Sequence, residues 1–270
     1  MLYLNQMLTK QPTYTLAQNI LHVWTTSLDA EINLPTDEAL SVLSTDELTR
    51  AKRLQRLEDR LLFTRAHIAV RQTLSRYTLI PAQELCFDIG RYGRPEISNP
   101  DAPNGLRFNL SHTPGMIAIV IHCAFNAGVD VERIDRVADL ATITRSCFTD
   151  AERDALLALP AEEQPLRFAQ IWVLKESFIK AIGTGLTTSL KSISFDLSVP
   201  SSISFNCSPD LEKNPLAWSF NLSQPTRHHV LATAARLNHK KATIETFSLS
   251  NVNYFLKSTG SIFKDAGLTE

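Results

Sequence analysis

Long apolar runs are missing from this 270-residue chain. Stretches such as Met116 to Ile121 are far shorter than the roughly 20 residues needed to span a bilayer, so no membrane segment is expected. The opening MLYLNQMLTKQPTYTL interrupts its apolar residues with Asn5, Gln6, Lys10 and Gln11 and lacks the continuous core of a signal peptide. Cysteine is scarce. Cys86, Cys123, Cys147 and Cys207 stand far apart and form no C-x-x-C pair, which predicts buried free thiols in place of disulfides or zinc. Charge of one sign is also absent, with 27 Lys+Arg against 28 Asp+Glu. That balance gives no global pull towards nucleic acid or anionic membrane, and no basic, aromatic-rich stripe supplies a local one. A phosphate-binding function would have to come from a local cluster. The absences describe a cytoplasmic protein with neither a nucleic-acid nor a membrane partner. What is present is 44% hydrophobic residues, enough for one large domain or two small ones.

Residues 19–28 (NILHVWTTSL) alternate loosely and predict a first strand. From Ser44 to about Ser75 the pattern is helical. Ser44-Thr45-Asp46-Glu47 provides a cap and an acidic first turn, Leu54, Leu57, Leu61, Ile68 and Leu74 follow a 3.6-residue period, and a break is expected inside so long a segment. Short strands follow at Leu85 to Ile89, Leu106 to Ser111 and Met116 to Cys123, with another beginning at Gly128. Thr149-Asp150-Ala151-Glu152 opens a short helix ending near Pro160, and Gln164 to Ile182 forms a longer one. Strands at Ser192 to Leu197, Ile203 to Asn206, Ala217 to Leu222 and Val230 to Ala235 complete the second half. Phe108-Asn109-Leu110-Ser111 recurs as Phe220-Asn221-Leu222-Ser223, each ahead of an apolar strand. The expected fold is therefore α+β, a pseudo-twofold pair of similar subdomains, each a helix packed on a mainly antiparallel sheet. The expected division is 15–127, 128–250 and a C-terminal appendage at 251–270.

Four motifs can carry chemistry. In Gly128-Val129-Asp130-Val131-Glu132, strand alternation points the valines to one face and both carboxylates to the other. Paired carboxylates suit a hard cation such as Mg²⁺, or simply form a solvated strand face. In the helix from Trp172 to Gly185, Ile171, Leu174, Phe178 and Ile182 form an apolar stripe. Glu176 and Lys180 share another side, either as an ordinary i,i+4 ion pair or as a metal carboxylate and a phosphate ligand. Ser111 and His112 stand where a strand ends in a loop, as a turn or as phosphate ligands. No G-x-S-x-G elbow makes Ser111 a nucleophile. Basic residues including Arg50, Arg53, Arg91 and Arg94 are either solvated or clamp phosphate.

In their order, R-Y-G-R-P at 91–95, F-N-L-S-H-T at 108–113, G-V-D-V-E at 128–132 and W-V-L-K-E-S-F-I-K-A-I-G-T-G-L at 172–186 resemble the signatures of the Sfp-type 4'-phosphopantetheinyl transferases. The resemblance covers roughly residues 43 to 235. It implies a two-lobed pseudo-dimer binding coenzyme A between its halves, unlike the smaller trimeric holo-acyl-carrier-protein-synthase type. It implies transfer of the phosphopantetheine arm to a serine of an apo acyl or peptidyl carrier protein, releasing 3',5'-ADP, by a monomer. By the same resemblance Asp130, Glu132 and Glu176 hold Mg²⁺ (or Mn²⁺), and Glu176 and Lys180 are catalytic. Arg50, Arg53, Arg94, Ser111, His112, Lys175 and Lys180 contact coenzyme A. Arg94 stands where the family usually has Lys, and Phe63 where some members carry a short polar residue. The competing readings are a Mg²⁺-dependent phosphodiesterase and a non-catalytic carrier-protein binder.

Overall fold

The structure, a computed structural model, describes residues 14, 16–17, 19–28, 35–136, 140–238 and 240–249. The expected appendage at 251–270 lies outside them. In chain order the elements are β1 (Ile20–Ser27), α1 (Asp37–Leu40), α2 (Thr45–Arg53), α3 (Leu57–Thr78), β2 (Phe87–Ile89), β3 (Pro95–Ile97), β4 (Leu106–Thr113), β5 (Met116–Cys123) and β6 (Ala127–Arg133). There follow α4 (Leu140–Cys147), α5 (Asp150–Leu157), α6 (Gln164–Ile182), β7 (Ile193–Asp196), β8 (Ser204–Cys207), β9 (Trp218–Thr226), β10 (His229–Arg236) and β11 (Thr243–Ser248). No helix among them is long and apolar enough to cross a membrane.

The fold is α+β and internally duplicated. One sheet has the strand order β11-β1-β5-β4 and the other β6-β10-β9, so β1-β5-β4 and β6-β10-β9 repeat one antiparallel arrangement. The recurring F-N-L-S segments occupy matching places. Phe108 to Ser111 pair with Ile121 to Ala118, and Phe220 to Ser223 pair with Ala234 to Leu231. Each half also carries a two-stranded ribbon, β2-β3 or β7-β8, and a long helix, α3 or α6. The strand β11 was not anticipated. It returns from the end of the second half to lie parallel to β1.

Four layers result, and the apolar runs report them. In β5, Ile117, Ile119 and Ile121 pack under α3 with Trp24, Ile68 and Leu74. Its alternate residues Met116, Ala118 and Val120 meet Val129, Val131, Leu231 and Ala235 of the second sheet. In β10, Val230, Ala232 and Ala234 lie instead under α6 with Val173, Leu174 and Phe178. A strand covered on both faces has no polar side, which is why Met116 to Ile121 reads as a continuous apolar run.

The expected break in the first long helix falls at Leu54 to Arg56, between α2 and α3. Gly183 ends α6 with φ of 72°, its N–H bonded to the Ile179 carbonyl. The thiols differ from expectation. All four cysteines are free, but Cys86 is exposed and the other three are only partly covered.

Candidate active site

The halves meet along the edges of β4 and β6, which are joined by side chains. Asn109 Oδ1 accepts the Val129 N–H (3.0 Å), and Ser111 Oγ accepts the Val131 N–H (3.3 Å). The Ser111 hydroxyl donates to Asp130 Oδ1 (2.8 Å), and the Thr113 hydroxyl donates to Glu132 Oε2 (3.1 Å). Alternate residues of one strand thus hold the backbone and carboxylates of the other.

On β6, Val129 and Val131 enter the core between the sheets while Asp130 and Glu132 line a cleft of about 340 Å³. The opposite wall is α6, whose Trp172, Glu176 and Lys180 recur every four residues on one face. Gly128 sets the separation of these walls. A Cβ there would collide with the Ser177 carbonyl and lie 2.6 Å from the Ala181 nitrogen, so only glycine lets α6 approach β6 this closely. Leu110, Ser111 and His112 complete the lining from the first half.

The cleft's charges are coupled. Lys180 Nζ lies 2.7 Å from Asp130 Oδ1, so its strongest partner is on another element and not on its own helix. Asp130 is 3% exposed, and its second oxygen, Oδ2, is buried with no hydrogen-bond partner. Burial, followed by repulsion from Asp130, raises the Glu176 pKa above the ordinary carboxylate value, with Lys180 opposing the shift. His112 meets solvent at its outer edge, yet desolvation by the surrounding walls and then the Lys180 charge push its pKa down to about 4. It is neutral at neutral pH.

Of the sequence-predicted site residues, Ser111, His112, Asp130, Glu132, Glu176 and Lys180 line this one cleft. The others lie elsewhere. Arg50 is exposed, its guanidinium 5.5 Å over the Phe63 ring, which stacks on His67. Arg53 is exposed in the last turn of α2. Arg94 donates to the Ala181 carbonyl (3.3 Å) at the C-terminal end of α6, where a cation suits the helix dipole.

Lys175 is a correction. It is fully buried, paired with Glu152 at 2.6 Å, and donates to the Cys147, Leu190 and Ile193 carbonyls. Its counterpart in the first half is Arg71, which pairs with Glu47 at 2.8 Å and donates to the Ala82 and Leu85 carbonyls. Both glutamates close capping boxes, on Ser44 and on Thr149. Lys175 therefore belongs to the scaffold. Thr113 is absent from the expected site residues, although two-residue alternation from Ser111 points to it; Trp172, one turn before Glu176 on the same side, also lines the cleft.

The donor set suits a divalent cation in chemistry: three carboxylates, one with a buried oxygen that lacks a partner. They are not drawn around a single point. Among the described residues no three His, Cys, Asp or Glu side chains are grouped closely enough to hold a metal.

Residues 126–234 match the 4'-phosphopantetheinyl transferase superfamily. The chain is similar to the 4'-phosphopantetheinyl transferase HetI of Nostoc sp. (strain PCC 7120), with 32% identity over 66% of this chain and 75% of HetI. It is also similar to the 4'-phosphopantetheinyl transferase Sfp of Bacillus subtilis, with 31% identity over 58% of this chain and 68% of Sfp. Among solved structures, the holo-(acyl-carrier-protein) synthase of Bacillus anthracis in complex with CoA (3',5'-ADP) aligns with 43% of this chain and 99% of its own, at 19% identity and a TM-score of 0.36.

Proposed function

Because the chain belongs to the 4'-phosphopantetheinyl transferase superfamily, we propose that it is of the Sfp type. It moves the phosphopantetheine arm of coenzyme A to a serine of an apo acyl or peptidyl carrier protein, with Mg²⁺ at the cleft. The observation that carries this reading is the convergence of three separate motifs, from both halves, on one cleft: Ser111 and His112, Asp130 and Glu132, Glu176 and Lys180. Two similar halves within one chain favour the Sfp type, since one molecule then supplies both walls.

Asp130, Glu132 and Glu176 would hold the cation, which when bound neutralises charge on phosphate oxygens. The remaining chemistry belongs to side chains. The carrier serine oxygen attacks the β-phosphorus of coenzyme A, and the bond from that phosphorus to the bridging oxygen breaks, expelling 3',5'-ADP. Lys180 offsets charge developing on the pyrophosphate, and His112 supplies a neutral ring nitrogen to phosphate. Glu176, on the cleft wall beside Lys180, accepts the serine proton.

The test is to incubate the protein with coenzyme A, Mg²⁺ and an apo carrier protein and to weigh the carrier by mass spectrometry. One phosphopantetheinyl arm per carrier is expected, and none with Asp130→Ala. Coenzyme A hydrolysis without transfer would instead indicate a phosphodiesterase, and an unchanged carrier with intact coenzyme A a non-catalytic binder.

A further inference from the structure

Thr113 is fully buried at the last residue of β4, and its hydroxyl is donated across the seam to Glu132. The turn that follows is fixed from the second half as well. His229 Nε2 donates to the Pro114 carbonyl (2.9 Å), while its Nδ1 lies 2.7 Å from the Thr226 hydroxyl. A carbonyl only accepts, so Nε2 carries the hydrogen and Nδ1 is free to accept from Thr226. Gly115 adjoins this contact with φ of +89°, and a Cβ there would lie 3.1 Å from His229 Cε1. Ser111 is committed in the same manner: its one hydroxyl hydrogen goes to Asp130 and its oxygen accepts the Val131 N–H.

From this we infer that Thr113 is a positioning residue, which orients the Glu132 carboxylate for cation binding from the opposite half of the molecule. Ser111 does the same for Asp130. The two hydroxyls stand two residues apart on β4, as the two carboxylates do on β6, so one strand edge indexes the other. Glu132 has one end fixed by a group that is neither cationic nor solvent. The inference rests on the reading of the cleft as a metal-dependent transferase site.

The test is Mn²⁺ affinity measured without coenzyme A, from the electron paramagnetic resonance signal of free Mn²⁺, on folded protein verified by thermal melting. Thr113→Val is expected to weaken Mn²⁺ binding about tenfold, the lower end of what losing a group that orients a ligand costs. Thr113→Ser is expected to restore it, because the hydroxyl returns without the methyl. Should Thr113→Val not fold, Thr113→Ala against Thr113→Ser makes the same comparison. Wild-type affinity in the variant lacking the hydroxyl overturns the inference, as does a Ser variant no better than that variant. Glu132→Gln separates the two levels of the argument. If it binds Mn²⁺ as tightly as wild type, the metal reading fails and takes the inference with it. If it loses binding while Thr113→Val does not, only the role of Thr113 is lost.

Discussion

Glu176 carries its charge in a place that opposes it. Burial and the Asp130 carboxylate both favour its protonated form, so the folded state holds that proton more tightly than the unfolded chain does. The sign for stability follows. As pH rises from 4.5, the unfolded carboxyl ionises first, and stability is lost until the folded carboxyl ionises too. Above that window the full cost is present. In metal-free protein, Glu176→Gln should therefore melt higher than wild type at mildly alkaline pH, and the gap should close as pH falls to 4.5. Thermal melts across that range check this, and a gap that widens on acidification contradicts it. At this scale the sequence was legible where periodicity assigned faces. Glu176 and Lys180 were placed together because i and i+4 share a side. For Lys175 the resemblance implied a coenzyme A contact, whereas its side chain is buried against Glu152. One step along a helix turns a side chain by about 100°, and here that turn leads from the cleft into the core.

At the scale of elements, the paired capping boxes fix where the long helices sit. Glu152 satisfies the Thr149 N–H, the Phe195 N–H and Lys175 together, tying the start of α5 to α6 and β7. Lys175→Met leaves that buried carboxylate without its cation and is expected to destabilise the fold by about 3 kcal/mol, as removal of one partner of a buried pair does. Adding Glu152→Gln should recover part of the loss. Denaturant unfolding of the two variants measures this. A coenzyme A contact would behave differently, with KM raised and stability unchanged. The elements read most accurately from sequence were α6 and β5, where a long amphipathic period and an unbroken apolar run leave little choice. The helix α4 escaped because Thr142, Ile143 and Thr144 are consecutive β-branched residues, which weaken a helical pattern. The strand β11 escaped because it is mostly exposed and pairs with β1, more than two hundred residues earlier in the chain.

Over the whole molecule, duplication creates the cleft. Two sheets of the same strand order stack through Met116, Ala118 and Val120 against Val129, Val131 and Leu231, and the edges of β4 and β6 come together beside that core. Each half alone would present an incomplete wall: a hydroxyl and an imidazole from the first, carboxylates and a lysine from the second. The sequence showed this repeat only through four matching residues, because strand order and layer packing persist after side-chain identity has diverged. Lys180 Nζ lies 2.7 Å from Asp130 Oδ1; on the proposed reading, the carboxylates share a cation when the site is loaded and Lys180 turns towards phosphate. Crystals grown with coenzyme A and soaked in Mn²⁺ test that directly through the metal's anomalous scattering. The account predicts one peak bonded to Asp130, Glu132 and Glu176 and to a pyrophosphate oxygen. A nucleotide bound in the cleft with no peak among these three carboxylates would contradict it.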